Sequence, residues 1–355
     1  MSSHKTKEED EVPQAQRPPS PPLHTTPAAR GVHYPNFSAF RPRDVRIPCA
    51  QGMNHVAWSC DGRRLAAVGI DKSARVFMPE TSMEPRQASL FSSAHKDDVD
   101  YVSWNPTHPD LFCTSSSKDR QVVFWDARQS RHTQAISLRF SPLWTDYSPD
   151  GRTLLYVSAG HSLYFLEYGS VGDDPKEKWH TSDKDSPVAS TATWNHTGDA
   201  IVLTHHQETT LRVLEYPSLR LLEKPAAHVA GCMAVALDPR GGHLASGGRD
   251  SIVNIFDLSE WISARTITAC DRSITALSYS HDGEYLAIAS AGSYIDICAT
   301  ETGAPLHRVP ALGASQTVSW HPSKYVIAYC GHAVGQEKGA SPSAVIGLFG
   351  PGMSN

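Results

Sequence analysis

Short apolar runs separated by polar turns recur along most of this chain, and their spacing is regular. One apolar or aromatic position returns at Trp58, Trp104, Tyr147, Trp194, Leu237, Tyr279 and Trp320, at intervals of 41 to 47 residues. A turn and a second apolar run follow it. Trp58-Ser59-Cys60-Asp61-Gly62 leads to Leu65-Ala66-Ala67-Val68, and Tyr147-Ser148-Pro149-Asp150-Gly151 leads to Leu154-Leu155-Tyr156-Val157. Leu237-Asp238-Pro239-Arg240-Gly241 and Tyr279-Ser280-His281-Asp282-Gly283 repeat the pattern. Asp-Gly between short apolar strands predicts hairpins, because such turns need positive φ. A third alternating run follows, as at Ala74–Val76, Val122–Phe124, Leu211–Val213, Ile252–Ile255, Ile295–Ile297 and Val345–Leu348.

A period near 43 residues with about four short strands per unit predicts an all-β chain built as a seven-bladed β-propeller. The seventh unit runs out after three strands. Its fourth strand is expected from the beginning of the ring, around Asp44 to Cys49, because closure removes exposed sheet edges. No convincing amphipathic helix is expected; Leu258 to Arg265 is the nearest candidate, and it is short. The charged stretch Gly172 to Asp185 reads as a solvated loop. Residues 1–42 are crowded with proline and poor in β-branched residues, which predicts a disordered tail. The propeller is expected over 43–350, with a short tail over 351–355.

The units also carry the polar signature of WD repeats. There a His before the first strand, a Ser or Thr on the second, an Asp in the following turn and a Trp on the third share one hydrogen-bond network. Blade two offers His95, Ser115, Asp119 and Trp125, and Trp125-Asp126 is the single Trp-Asp dipeptide. Blade five offers His228, Ser246 and Asp250, with Phe256 in place of the Trp. Phe has no N–H to donate, so that network is shorter. Repeat position explains these residues as structure, which leaves little room for a His-Asp-Ser catalytic triad.

Composition narrows the function. The net charge is -5, with 32 basic and 37 acidic residues, so the chain does not coat nucleic acid by charge alone. Seven widely spaced cysteines read as reduced thiols of the cytosol or nucleus. No secretory signal and no membrane span are expected. His196, His205 and His206 match no tight zinc spacing and read as loop histidines, so no metal or cofactor is expected. Glycine pairs at blade turns lack the following helix that a phosphate loop needs. The turns between second and third strands place Lys72, Lys118, Arg120, His161, His205, His206 and Arg249 at matching positions. They predict a mildly basic face for an acidic partner segment or an RNA backbone, against the plainer reading of a solvated rim.

Longer motifs are more specific. Val56 to Ala66, His108-Pro109-Asp110-Leu111-Phe112, Phe124-Trp125-Asp126-Ala127-Arg128 and Glu215-Tyr216-Pro217-Ser218-Leu219 occur in order. Leu277 to Gly283, Tyr294-Ile295-Asp296-Ile297, Val318-Ser319-Trp320-His321-Pro322 and Leu348-Phe349-Gly350 follow. Over roughly residues 44 to 350 the chain resembles the WD-repeat third subunit of the THO complex. It departs from that family at Ala291-Gly292-Ser293 and in the proline-rich tail. The resemblance implies a nuclear, non-catalytic scaffold in the assembly that couples transcription to messenger-RNA packaging and export. It implies the other THO subunits as partners, chiefly the large helical scaffold subunit, with at most an indirect or weak contact to RNA. No membrane or small-molecule substrate is implied. The rival readings are a WD-repeat adaptor of another nuclear complex, such as a ubiquitin-ligase receptor or a histone-binding module, and a propeller hydrolase with an acidic or His cluster at its channel.

Overall fold

The computed structural model describes residues 35–47, 52–171, 174–182, 184, 186–333 and 343–352. They form seven four-stranded antiparallel sheets and, among the described residues, no α-helix. In each sheet from blade one to blade six the strands are neighbours in chain order. The first strands of adjacent blades lie beside one another, so they ring the axis and the fourth strands form the outside. Seven apolar clusters hold the ring, one at each boundary between blades; Ala66, Val68 and Phe91 of blade one, for example, pack on Val102, Trp104 and Trp125 of blade two.

The recurring position ends the first strand in every blade, as in Met53–Trp58, Tyr101–Trp104, Thr191–Trp194 and Ser315–Trp320. Three of its four tryptophans do more than fill space; the Nε1–H of the fourth, Trp320, is buried without a partner. The Nε1–H of Trp104 donates to Ala57 O of blade one at 3.0 Å, that of Trp58 to Ser319 O of blade seven at 3.2 Å, and that of Trp194 to Asp146 O of blade three at 3.3 Å. Each accepting carbonyl precedes the equivalent residue of the previous blade. The indole therefore buries a large apolar ring and staples neighbouring first strands, a double role open to Trp and closed to Leu or Phe.

The Asp-Gly turns make the second set of ties. Gly62, Gly151 and Gly283 have φ of 72°, 70° and 69°. Their carbonyls accept from His321 Nε2 at 3.0 Å, Asn105 Nδ2 at 3.3 Å and Arg240 Nη2 at 2.7 Å, each in an adjacent blade. At Gly62 a Cβ would stand 2.3 Å from the His321 ring, so only glycine allows this approach.

The seventh blade is completed by Arg41–Ile47, which pairs antiparallel with Ser343–Gly350 from Arg41↔Gly350 to Ile47↔Ala344. The expected closing strand is present, begun three residues earlier, and residues 48–51 lie outside the described residues. Two expectations change, and Leu258 to Arg265 holds no helix. The tail boundary at 42 is too late, since Phe37 is buried against Tyr285 at 5.1 Å in a T-shaped contact and Phe40 meets Phe349 at 5.6 Å. Residues 1–34 lie outside the described residues. Gly172 to Asp185 is not all loop, because Asp174–Thr181 is the outer strand of blade three. Leu258 to Arg265 is a turn and the start of the outer strand Ile262–Ile267, not a helix.

Candidate functional site

The polar networks lie where the repeat puts them, with one substitution of partner. In blade two His95 Nδ1 donates to Asp119 Oδ2 at 3.0 Å, which leaves Nε2 as an acceptor. That nitrogen is 2.7 Å from Thr114 Oγ1, whose oxygen accepts from Trp125 Nε1 at 2.8 Å. The chain of bonds is thus Trp125 to Thr114 to His95 to Asp119. Ser115 is not a member: its hydroxyl is buried with no partner. The register explains the correction. Thr114 pairs with Val123, whereas Ser246 of blade five pairs with Asn254, so the blade-two hairpin is one residue longer. Counting back from Asp119 lands on the wrong face of the strand, since side chains alternate.

In blade five His228 Nδ1 meets Asp250 Oδ1 at 3.1 Å and His228 Nε2 meets Ser246 Oγ at 2.9 Å, as expected, and Phe256 ends the chain of bonds early. Burial holds both histidines below the ordinary imidazole range despite their Asp partners, so each is neutral at pH 7. Five of the six described cysteines are buried, and burial pushes the thiols of Cys113, Cys232, Cys270 and Cys298 up to about 12. They are core residues rather than nucleophiles.

Around the axis, His55 stacks on Tyr101 at 3.7 Å and Tyr101 lies 4.5 Å from Trp144, a run of rings across the first strands of blades one to three. An opening of about 400 Å³ there is lined by Tyr101, Trp144 and Asp146, among others. Asp146 accepts from Thr193 Oγ1 at 3.1 Å, and burial raises its carboxyl to about 7. It joins blades three and four as a tie. The three rings stand at one point of the repeat, three residues before Trp58, Trp104 and Tyr147, a signal that the sequence reading left unused.

The seven rim residues do share one face. Lys72, Lys118 with Arg120, His161, His205 with His206, and Arg249 fall in the turns between second and third strands of blades one to five. Lys72, Arg120 and His161 have φ of 63°, 56° and 58°, the left-handed conformation that closes each turn. Their charges are not equally free. Lys118 is ion-paired with Asp98 and lies 3.6 Å from Asp97, and Lys72 Nζ donates to Lys96 O at 2.8 Å. Arg120 and Arg249 are exposed. The loops between blades carry exposed apolar tips, Phe140, Val188, Val229 and Leu312, with Val229 83% exposed. Exposed apolar tips and arginines on one face are the mixture that protein interfaces use. His161, His205 and His206 come together into one cluster, whereas His196 is not part of it.

Comparison with known proteins places this architecture. The chain is 33% identical over 279 residues to THO complex subunit 3 of Arabidopsis thaliana, covering 79% of this chain and 86% of that protein. The chain belongs to the THO complex subunit 3 family. The WD domain, G-beta repeat family matches residues 46–77, 87–126 and 219–257. These segments include the two blades with a His-Asp pair, where the repeat is most regular. The WD repeat-containing protein AAC3 of Dictyostelium discoideum is 24% identical over 295 residues, 77% of this chain and 60% of that protein. In fold the chain matches the β-propeller domain of Cps50 (Swd1) from Myceliophteria thermophila with a TM-score of 0.68 at 14% identity, covering 83% of this chain and 96% of that one.

Proposed function

We propose that this member of the THO complex subunit 3 family is a non-catalytic scaffold that acts in the nucleus, within the assembly that couples transcription to messenger-RNA packaging and export. Its partners in this reading are the other THO subunits, chiefly the large helical one. The observation that carries the reading is the 33% identity to a THO subunit across 279 residues, nearly the whole ring. The buried cysteines and the fully bonded His-Asp pairs support it, since both groups serve the core and not a reaction.

The face that carries Lys72, Arg120 and Arg249 is the proposed docking surface. Its apolar tips favour a protein segment with acidic residues over an RNA backbone, because a phosphate chain would leave Val229 and Val188 without apolar partners. The test is native affinity purification of the tagged full chain from its own cells, with nuclease treatment. Recovery of the other THO subunits is expected to survive the nuclease. Recovery of ubiquitin-ligase or chromatin subunits alone overturns the assignment.

A further inference from the structure

Two neighbouring blades bring three imidazoles to one point. His161 lies in the turn between the second and third strands of blade three, and His205 and His206 lie in the corresponding turn of blade four. Each offers a ring nitrogen, and the three atoms lie within 4.8 Å of one another. Ring centroids are 4.4 Å apart for His161 and His206, 4.6 Å for His205 and His206, and 5.5 Å for His161 and His205.

The backbone fixes this arrangement from several sides. The amide of His161 donates to Ser158 O at 2.9 Å, and its carbonyl accepts from Ala189 N at 3.0 Å. The amide of His206 donates to Ser190 Oγ at 3.1 Å. Gly231 of blade five, at φ 88°, lies so close that a Cβ there would stand 2.1 Å from His206 O. Ser190 Oγ also sits 2.9 Å from His206 Nδ1 and 3.3 Å from His161 Nδ1. One hydroxyl therefore orients two rings. It has one proton and two lone pairs, and the His206 amide occupies one of these. Of the two Nδ1 atoms one must donate and the other accept, so the donating ring keeps a bare Nε2, and the accepting ring must give up its bond to Ser190 to ligate. A hydrogen-bond partner of this kind on a ligating imidazole is what sets its tautomer and aim in metal sites.

We propose that His161, His205 and His206 bind one divalent transition-metal cation of the zinc class across the boundary between blades three and four. Zn–N bonds of about 2.0–2.1 Å at tetrahedral angles need donor atoms about 3.3 Å apart, so the rings close by at most about 1.5 Å. Three imidazole nitrogens select zinc, copper, nickel or cobalt over magnesium or calcium, which take oxygen ligands. The Arg249 guanidinium is near enough to act on His206. The Arg249 charge acts against any cation, so binding is weaker than in a closed structural zinc site.

The experiment uses the full chain, stripped with a chelator and titrated with Zn²⁺, Co²⁺ and Mg²⁺. One equivalent of Co²⁺ is expected to give the intense visible bands of a four- or five-coordinate ion, and Zn²⁺ to displace it and raise the thermal midpoint. Mg²⁺ is expected to do neither. His161→Asn, which tolerates the left-handed turn, and His205→Gln and His206→Gln should each weaken Zn²⁺ by at least about tenfold and remove the Co²⁺ bands. Ser190→Ala should weaken binding by about tenfold while leaving the bands in place. His180→Gln should change nothing. The proposal fails if the parent binds no stoichiometric Co²⁺ or Zn²⁺. It also fails if the three histidine variants, folded by circular dichroism, keep the parent affinity.

Discussion

Thr114 and Ser115 are adjacent hydroxyls on one strand, both fully buried, and the structure gives them opposite worth. Thr114→Val keeps the shape and removes the oxygen. It leaves the Trp125 Nε1–H and the His95 Nε2 without partners in a site where the His95 and Asp119 side chains are only 2% and 4% exposed. Each orphaned group costs about 1–3 kcal/mol, so the variant should lose roughly 2–6 kcal/mol. Ser115→Ala removes a hydroxyl that already lacks a partner, and its effect should lie within about 0.5 kcal/mol of zero or be stabilising. Urea denaturation of the two variants and the parent, with the slope held in common, reads both values. If Ser115→Ala costs as much as Thr114→Val, the network runs through Ser115 and the register argument is wrong.

Phe37→Ala should cost about 3–5 kcal/mol by thermal or urea unfolding, since it empties a buried aromatic site against Tyr285; a neutral result would return residues 35–40 to the tail. The pH dependence has a definite sign. His55, His95, His228 and His321 have folded values below the ordinary 6.5, so the unfolded chain binds more protons just below that pH. Their stabilisation is complete above about pH 6.5 and falls as the pH drops, by up to about 1.4 kcal/mol per unit for each of the buried His95 and His228. Asp146, raised to about 7, works the other way but is one group against several. Urea midpoints should therefore fall from pH 7.5 to 5.5, and a flat profile would refute the neutral networks. On the rim, a Lys72→Glu, Arg120→Glu, Arg249→Glu variant should slow association with THO partners and flatten its salt dependence more than it changes final affinity. Unchanged kinetics at several salt concentrations would move the interface elsewhere. Lys118 is left out of that set because Asp98 already neutralises it.

Much of the ring was legible because two cues agree. Asp-Gly turns fix where first strands end, and the apolar alternation fixes which face is buried. The outer strands were harder. Asp174–Thr181 is nearly all polar because its far side meets water, so it carries no apolar run. The Ser115 assignment failed for a narrower reason, a hairpin one residue longer than its counterpart in blade five. The histidine cluster was visible only in parts, since His161 and His205 belong to different repeats and only the closed ring sets them side by side. Phe37 was hidden by its proline-rich neighbourhood, whose composition says nothing of one aromatic anchor.

The pairing of Arg41–Ile47 with Ser343–Gly350 has a consequence in time. On the ribosome the early strand must wait for nearly the whole propeller to be made before its partner exists. Throughout that interval Val45 and Ile47 have no core to enter, and one flank of blade one stays open. Holding the two ends of a segment of roughly 300 residues together costs roughly 5 kcal/mol of chain entropy beyond a constant, set against seven residue pairs formed in one step. Closure is therefore a late, single event. A product cut short just before Ser343 keeps the Trp58 bond to Ser319 but loses every residue pair of the closing strand, so removing only the residues from Ser343 onward is enough to leave the ring unfastened.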